Sequence, residues 1–327
     1  MFVKDKYRGC LVGGAVGDAL GYAIEFDKED YIFSHYGKKG IEEYKLYKGK
    51  AVFSDDTQMT LFTAAGLLMG EDYLDHINKC YNDWLHTQYS KRDKKKQGYC
   101  HLYQVKELHA SRAPGITCLT ALEQGGLGTI ENPINQSKGC GGIMRVAPIG
   151  LYIDDILEAD MLAAKASAMT HGHELGYISS AFLVHVIHRL NHGEELQRAI
   201  EDAIENMKIL FKDAQHLDEL IELVELAIAL SKQDIDDIDA IHALGEGWVA
   251  EETLAIAIYC SLRYKHDFSE AIRVSVNHNG DSDSTGAVTG NILGTYLGYS
   301  QIDDKYLKNL ELKDLIIETA DRLYKDA

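Results

Sequence analysis

Two short clusters of hydroxyls and carboxylates could do chemistry in this 327-residue chain. Phe53-Ser54-Asp55-Asp56-Thr57 heads an apolar-periodic stretch, and Asn277-His278-Asn279-Gly280-Asp281-Ser282-Asp283-Ser284-Thr285-Gly286 lies far downstream. Ser54 suits a helix N-cap, and acids in a first turn complement the helix dipole, so the first cluster alone has a structural explanation. The second changes the reading. Asp281 and Asp283, two apart in an extended lead-in, point the same way, and Ser284 adds a hydroxyl. Hard divalent cations take oxygen ligands, and Mg²⁺ uses a few carboxylates while keeping waters for substrate. Asp55, Asp56, Asp281 and Asp283, with the hydroxyls of Ser54 and Ser284, suffice for two ions. No EF-hand loop ends in a bidentate glutamate here, and no Cys or His pair at zinc spacing flanks either cluster. His171 and His173 lack a Cys- or His-rich partner, and His185, His188 and His192 read as hydrogen-bonded core or surface histidines.

The elements that must bring these clusters together are helices. Apolar residues recur at three- and four-residue spacing over 57–68, 161–169, 175–190, 196–211, 217–230, 251–264 and 310–324. Alternating runs of strand length are nearly absent, and three prolines leave long helices unbroken. Gly9, Gly13, Gly17 and Gly21 recur every fourth residue, as do Gly286, Gly290, Gly294 and Gly298. Such rows make smooth grooves, and two of them predict a close crossing near −50°. Each interior glycine costs about 1 kcal/mol relative to alanine, which close packing must offset. The two ladders join the ends of the chain in one core, so residues 1–327 form a single all-α domain.

Composition excludes several classes. Fifty-one acidic against 33 basic residues give a net charge of −18, which repels a phosphate backbone and argues against nucleic-acid binding. The basic run at 91–96 reads as a solvated loop, having no aromatic ladder beside it. Six scattered cysteines without a C-x-x-C pair imply a reducing compartment. Lys4, Lys6 and Arg8 before an apolar stretch imitate a signal peptide until Asp18 interrupts it, and no run approaches a membrane span. A cytoplasmic monomer away from membranes is expected.

Six blocks in order carry a resemblance spanning nearly the whole chain: Gly13-Gly14-Ala15-Val16-Gly17-Asp18-Ala19-Leu20-Gly21 with Glu25; Ser54-Asp55-Asp56-Thr57; Gly139-Cys140-Gly141-Gly142-Ile143-Met144-Arg145-Val146-Ala147-Pro148; Thr170-His171-Gly172-His173; Gly245-Glu246-Gly247-Trp248; and Asp281-Ser282-Asp283-Ser284. With them the chain resembles the ADP-ribosylglycohydrolase family. The resemblance implies an orthogonal helical bundle around a two-Mg²⁺ (or Mn²⁺) centre held by Ser54, Asp55, Asp56, Asp281, Asp283 and Ser284. It implies that the distal ribose of ADP-ribose lies on the metals and that Glu25 is the catalytic carboxylate near the attacking water. The loop with Ser137, Gly139, Cys140, Gly141 and Gly142 would wrap the diphosphate through backbone N–H groups, and His171 would touch the ligand. The implied activity is release of ADP-ribose from modified protein side chains, arginine first among the linkages, with ADP-ribosylated protein or an ADP-ribose derivative as partner. Serines 54 and 284 stand where threonine is common in the family. Arg112-Ala113-Pro114-Gly115-Ile116-Thr117 lacks the aspartate of relatives that reactivate dinitrogenase reductase, so an arginine linkage would need another group. A two-metal phosphoesterase and a crystallin-like structural relative are the alternatives.

Overall fold

Glycine at every fourth position removes the ridge a helix normally presents, and two such helices form the axis of the structure. It is a computed structural model describing residues 3–89 and 97–326; the basic run 91–96 lies outside the described residues. The first half runs α1 (Val3–Gly21), α2 (Glu29–Tyr36), α3 (Asp55–Leu67), α4 (Tyr73–Tyr89), α5 (Ile116–Glu123), α6 (Ala147–Tyr152), α7 (Ile156–Ala168) and α8 (Glu174–Asn191). Then follow α9 (Leu196–Leu210), α10 (Leu217–Leu230), α11 (Asp237–Leu244), α12 (Ala250–Arg263), α13 (Phe268–Val276), α14 (Ser282–Leu297), α15 (Asp304–Leu307) and α16 (Lys313–Asp326). Among the described residues there is no strand, only three isolated bridges such as Gly139 with Val249. The all-α expectation holds.

The α1–α14 pairing is closer and straighter than expected. A Cβ on Gly9 would lie 2.0 Å from the carbonyl oxygen of Gly294, one on Gly13 2.4 Å from that of Gly290, and one on Gly17 1.9 Å from that of Gly286. At Gly21 the facing carbonyl is that of Ser282, at 2.2 Å. Partners descend on one helix as they ascend on the other, so the pair is antiparallel and stays in backbone contact over twelve residues of each, roughly 18 Å. A 50° crossing would displace the axes sideways by roughly 7–8 Å at each end of that span, lengthening their separation by about 3–4 Å. The helices therefore run nearly side by side, which corrects the expected −50°. The reason is that each ladder leaves main chain, not side-chain ridges, at the interface. Gly298 is no rung: it caps α14 with φ 86°, a backbone conformation that suits glycine.

This axis fixes where the acids go. The C-terminal end of α1 meets the N-terminal end of α14, and α3 packs against both with every residue buried. Around them, α8 is buried on nearly all sides between α6, α7, α9, α12 and α14, as a helix apolar all round must be. Helix α7 begins earlier than the apolar pattern, because the Asp155 carboxylate caps it by accepting the Glu158 N–H at 2.9 Å. One continuous apolar cluster runs from Tyr7 to Leu323. Among the described residues no helix is long and apolar enough to cross a membrane.

Candidate active site

The ends of three helices form the floor of one cleft. Helix α3 starts at Ser54, whose Oγ accepts the Asp56 N–H at 3.2 Å, placing Asp55 and Asp56 in its first turn. Helix α14 starts at Asp281, whose carboxylate accepts the Ser284 N–H at 3.4 Å. Asp283 accepts the same N–H at 3.0 Å from within the helix, so it belongs to the first turn rather than to an extended lead-in. Both acidic pairs thus gain from helix N-termini. Glu25, just beyond α1, Asp281 and Asp283 each offer an oxygen within 4.8 Å of the others. Asp55, Asp56 and Ser284 line the same cleft of about 270 Å³. Ser54 is fully buried and does not line that cleft; its Oγ accepts the Asp56 N–H and keeps a second lone pair.

Asp18 is the residue that sequence reasoning passed over. Fully buried on α1, it accepts hydrogen bonds from Ser54 N–H at 2.7 Å, Thr57 N–H at 2.9 Å and Thr57 Oγ1 at 2.5 Å. It ties the start of α3 to the glycine ladder and so sets the position of Asp55 and Asp56. A lone acid inside an apolar glycine row is the signal in the sequence, where it marks the first family block and excludes a signal peptide without revealing its partners.

The electrostatics test whether cations suit this floor. Burial first, and neighbouring Asp283 next, push Asp18 up to about 7 and Glu25 up to about 10. The same two causes hold Asp55, Asp56 and Asp281 well above the carboxylate range. Among the described residues no ion pair reaches any of these carboxylates, and the buried oxygens Glu25 Oε2 and Asp56 Oδ2 have no hydrogen-bond partner. Buried charges need partners. A set of unpaired oxygen donors at two helix N-termini fits hard divalent cations, so the cluster is a candidate metal-binding site.

The cleft wall is the glycine loop and His171. Gly139, Cys140, Gly141 and His171 line the cleft, whereas Ser137 lies in an adjoining pocket with Thr117 and Asn135. Gly142 packs behind, where a Cβ would lie 2.1 Å from Ser167 Oγ. Two of the four loop amides expected to serve as donors are already used: Cys140 N–H donates to Trp248 O at 3.2 Å, and Gly139 N–H to Ser137 Oγ at 3.3 Å. That corrects the picture of a fully available amide cradle. The Cys140 thiol donates to Asp281 Oδ2 at 2.6 Å and steadies that carboxylate. Arg145, fully buried over the Tyr81 ring, donates from Nη2 to Thr170 Oγ1 at 2.7 Å. Thr170 Oγ1 lies 2.8 Å from His171 Nδ1 and only 3.4 Å from its other acceptor, Ser167 O. The Thr170 hydroxyl thus links the buried Arg145 to the imidazole and fixes the ring's orientation. Burial, then Arg145, pushes the His171 pKa down to about 3. His171 is therefore a neutral ring whose Nε2 faces Gly139 and Gly141.

His185 and His188 have structural partners: His185 sits between Asp160 at 2.8 Å and Asp202 at 3.2 Å, and His188 Nε2 contacts Asp154 O at 2.9 Å.

A solved structure described as an ADP-ribosylglycohydrolase-related protein complex matches 99% of this chain and 98% of its own with TM-score 0.69 and 24% identity, which shows the fold. The chain is also similar to ADP-ribosylhydrolase ARH3 of Mus musculus, 24% identical over 98% of this chain and 92% of that protein. It is 26% identical to ADP-ribosylarginine hydrolase Tri1 of Serratia proteamaculans, over 98% of this chain and 79% of that one. Fold, cleft and relatives together define the class, an all-helical hydrolase of glycosidic bonds. Residues 2–327 match the family model described as ADP-ribosylglycohydrolase, and the chain belongs to that family.

Proposed function

We propose that this protein is a Mg²⁺-dependent hydrolase that frees ADP-ribose from arginine side chains of modified proteins. Two ions, with Mn²⁺ a substitute, would be held by Asp55, Asp56, Asp281 and Asp283 with the hydroxyls of Ser54 and Ser284. The observation that carries this is the buried carboxylate floor without counter-charge, where Glu25 Oε2 and Asp56 Oδ2 lack any partner. Bound there, divalent cations would supply Lewis acidity next to the distal ribose. The chain does the rest. Glycosidic cleavage passes through an oxocarbenium-like state: water adds hydroxide at the anomeric carbon and the leaving nitrogen gains a proton. Glu25, 7% exposed at the cleft floor, is placed to pass that proton. His171 meets the diphosphate as a neutral group, and Gly139 and Gly141 let the diphosphate approach the main chain. The name of the Serratia relative supports the arginine linkage.

The test is incubation with arginine- and serine-linked ADP-ribosyl peptides, in Mg²⁺ and in EDTA, with products identified by mass. Free ADP-ribose should appear from the arginine peptide with Mg²⁺ only. Free ADP-ribose at a hundredfold excess over its Kd should also stabilise the fold by about 2.7 kcal/mol, and AMP, lacking the distal ribose, much less. Equal shifts for both nucleotides, with and without EDTA, would remove the ribose from the metals and end the proposal.

A further inference from the structure

The cleft leaves two aromatic side chains in water at its mouth. Phe26 is 72% exposed and Trp248 40%, and their rings stack 6.3 Å apart with 20° between planes. Trp248 lines the cleft with Glu25, Asp281 and Asp283, and Phe26 directly follows Glu25. The pair therefore stands at the carboxylate end, where the Trp248 main chain adjoins the glycine loop.

Three observations decide what such a pair receives. The ring faces carry negative quadrupole charge. Among the described residues no lysine or arginine lines the cleft, and its one histidine, His171, is neutral. Exposed Glu246, outside the carboxylate floor that divalent cations would neutralise, stands two residues before Trp248. A flat, weakly hydrated cation gains from all three, through stacking, cation–π attraction and the negative field. A neutral hydroxyl-bearing side chain gains from none.

We propose that Phe26 and Trp248 form the subsite for the side chain from which ADP-ribose is removed, and that this subsite selects a guanidinium. The inference rests on the activity proposed above and adds what discriminates between linkages. With the distal ribose at the carboxylates, the bond to be broken lies at that end of the cleft, where Trp248 lines it beside Glu25, Asp281 and Asp283. The Trp248 main chain is held independently of its ring, because its carbonyl accepts the Cys140 N–H at 3.2 Å. The ring can thus be exchanged while the loop stays in place.

The experiment compares wild type, Trp248→Ala, Phe26→Ala and Trp248→Phe. It measures kcat/KM on arginine- and serine-linked ADP-ribosyl peptides and the Kd of free ADP-ribose. Both alanine variants should lower the arginine-to-serine ratio of kcat/KM by roughly two- to thirtyfold, mainly through KM, and Trp248→Phe should restore most of it. An unchanged ratio overturns the subsite, as does a wild type that turns over only the serine peptide. A matching loss of free ADP-ribose affinity in the alanine variants also overturns it, because the adenine would then occupy the rings. Turnover of neither peptide by wild type removes the activity itself and the subsite with it, so the two failures are told apart.

Discussion

Gly17→Ala tests the helix pairing and its tie to the site in one substitution. The new Cβ would stand 1.9 Å from the carbonyl oxygen of Gly286 and 2.3 Å from its carbon, so no rotamer change can relieve the contact. Ordinary contact begins near 3.4 Å, which requires α1 and α14 to part by about 1.5 Å. In an open helix the same substitution stabilises by about 1 kcal/mol. Here overpacking against rigid main chain, at the top of the usual range at about 3 kcal/mol, opposes it, and parting the helices also loosens the rungs at Gly13 and Gly9, so a net loss of about 2–3 kcal/mol is expected. At about 2.1 cal/mol/K per residue, a chain of 327 residues should melt about 3–4 °C lower. Asp18 is the next residue, so the shift carries Asp18 and Glu25 away from Asp281 and Asp283, and misplacement of about 1 Å costs on the order of a hundredfold in rate. Gly14→Ala is the control: its Cβ meets only the Asn291 side chain, at 2.2 Å, which can turn aside by giving up its bond to Cys10 O. Thermal melts and steady-state turnover of both variants settle the matter. A raised melting temperature for Gly17→Ala, or a loss no greater than that of Gly14→Ala, would refute backbone contact between the helices.

Asp283→Asn should abolish ADP-ribose release and stabilisation by Mg²⁺ while leaving far-ultraviolet circular dichroism unchanged; retained turnover would count against the metal floor. Without divalent cations the fold should lose stability as pH rises. Asp18, raised to about 7, and Glu25, raised to about 10, keep protons in the folded chain that the unfolded chain has released above the ordinary carboxylate range. Melting in EDTA should therefore fall between about pH 5 and 9, with Mg²⁺ flattening the slope, and a flat profile in EDTA would contradict the buried, unpaired cluster. Thr170→Val removes the hydroxyl that holds His171 Nδ1 and should weaken ADP-ribose binding on the order of tenfold, measured by calorimetry; unchanged affinity would show that the ring's orientation is set elsewhere.

Much of this architecture was legible because it repeats or clusters locally. The periodic helices, the two glycine ladders and the Ser54–Asp56 and Asp281–Ser284 blocks are patterns over a few residues, and the structure puts the two blocks in one cleft. What escaped notice depends on distant partners. Asp18 gains its importance from Ser54 and Thr57, and Arg145 from Tyr81 and Thr170. The geometry of the ladders was misjudged because ridge-and-groove rules assume side chains at the interface, and here carbonyls meet a bare main chain. Gly298 was counted as a rung because spacing cannot tell a packing glycine from a capping one. The loop amides of Gly139 and Cys140 were counted as free because their partners, Ser137 Oγ and Trp248 O, are fixed only by the folded loop.

The antiparallel pairing of α1 with α14 also sets a timetable for biosynthesis. Gly17 and Gly286 are neighbours in space, but a ribosome adding about 5–20 residues per second needs roughly 13–55 s to travel between them. Throughout that interval the glycine row of residues 3–21 lacks its matching surface, which has not been made. A nascent chain stopped before residue 281 carries Asp18, Glu25, Asp55 and Asp56 but neither Asp281 nor Asp283, so it has half a floor and an unfilled groove. The groove is then a docking slot awaiting one helix, and a separately made segment 277–326 supplied in trans has the sequence that fits it.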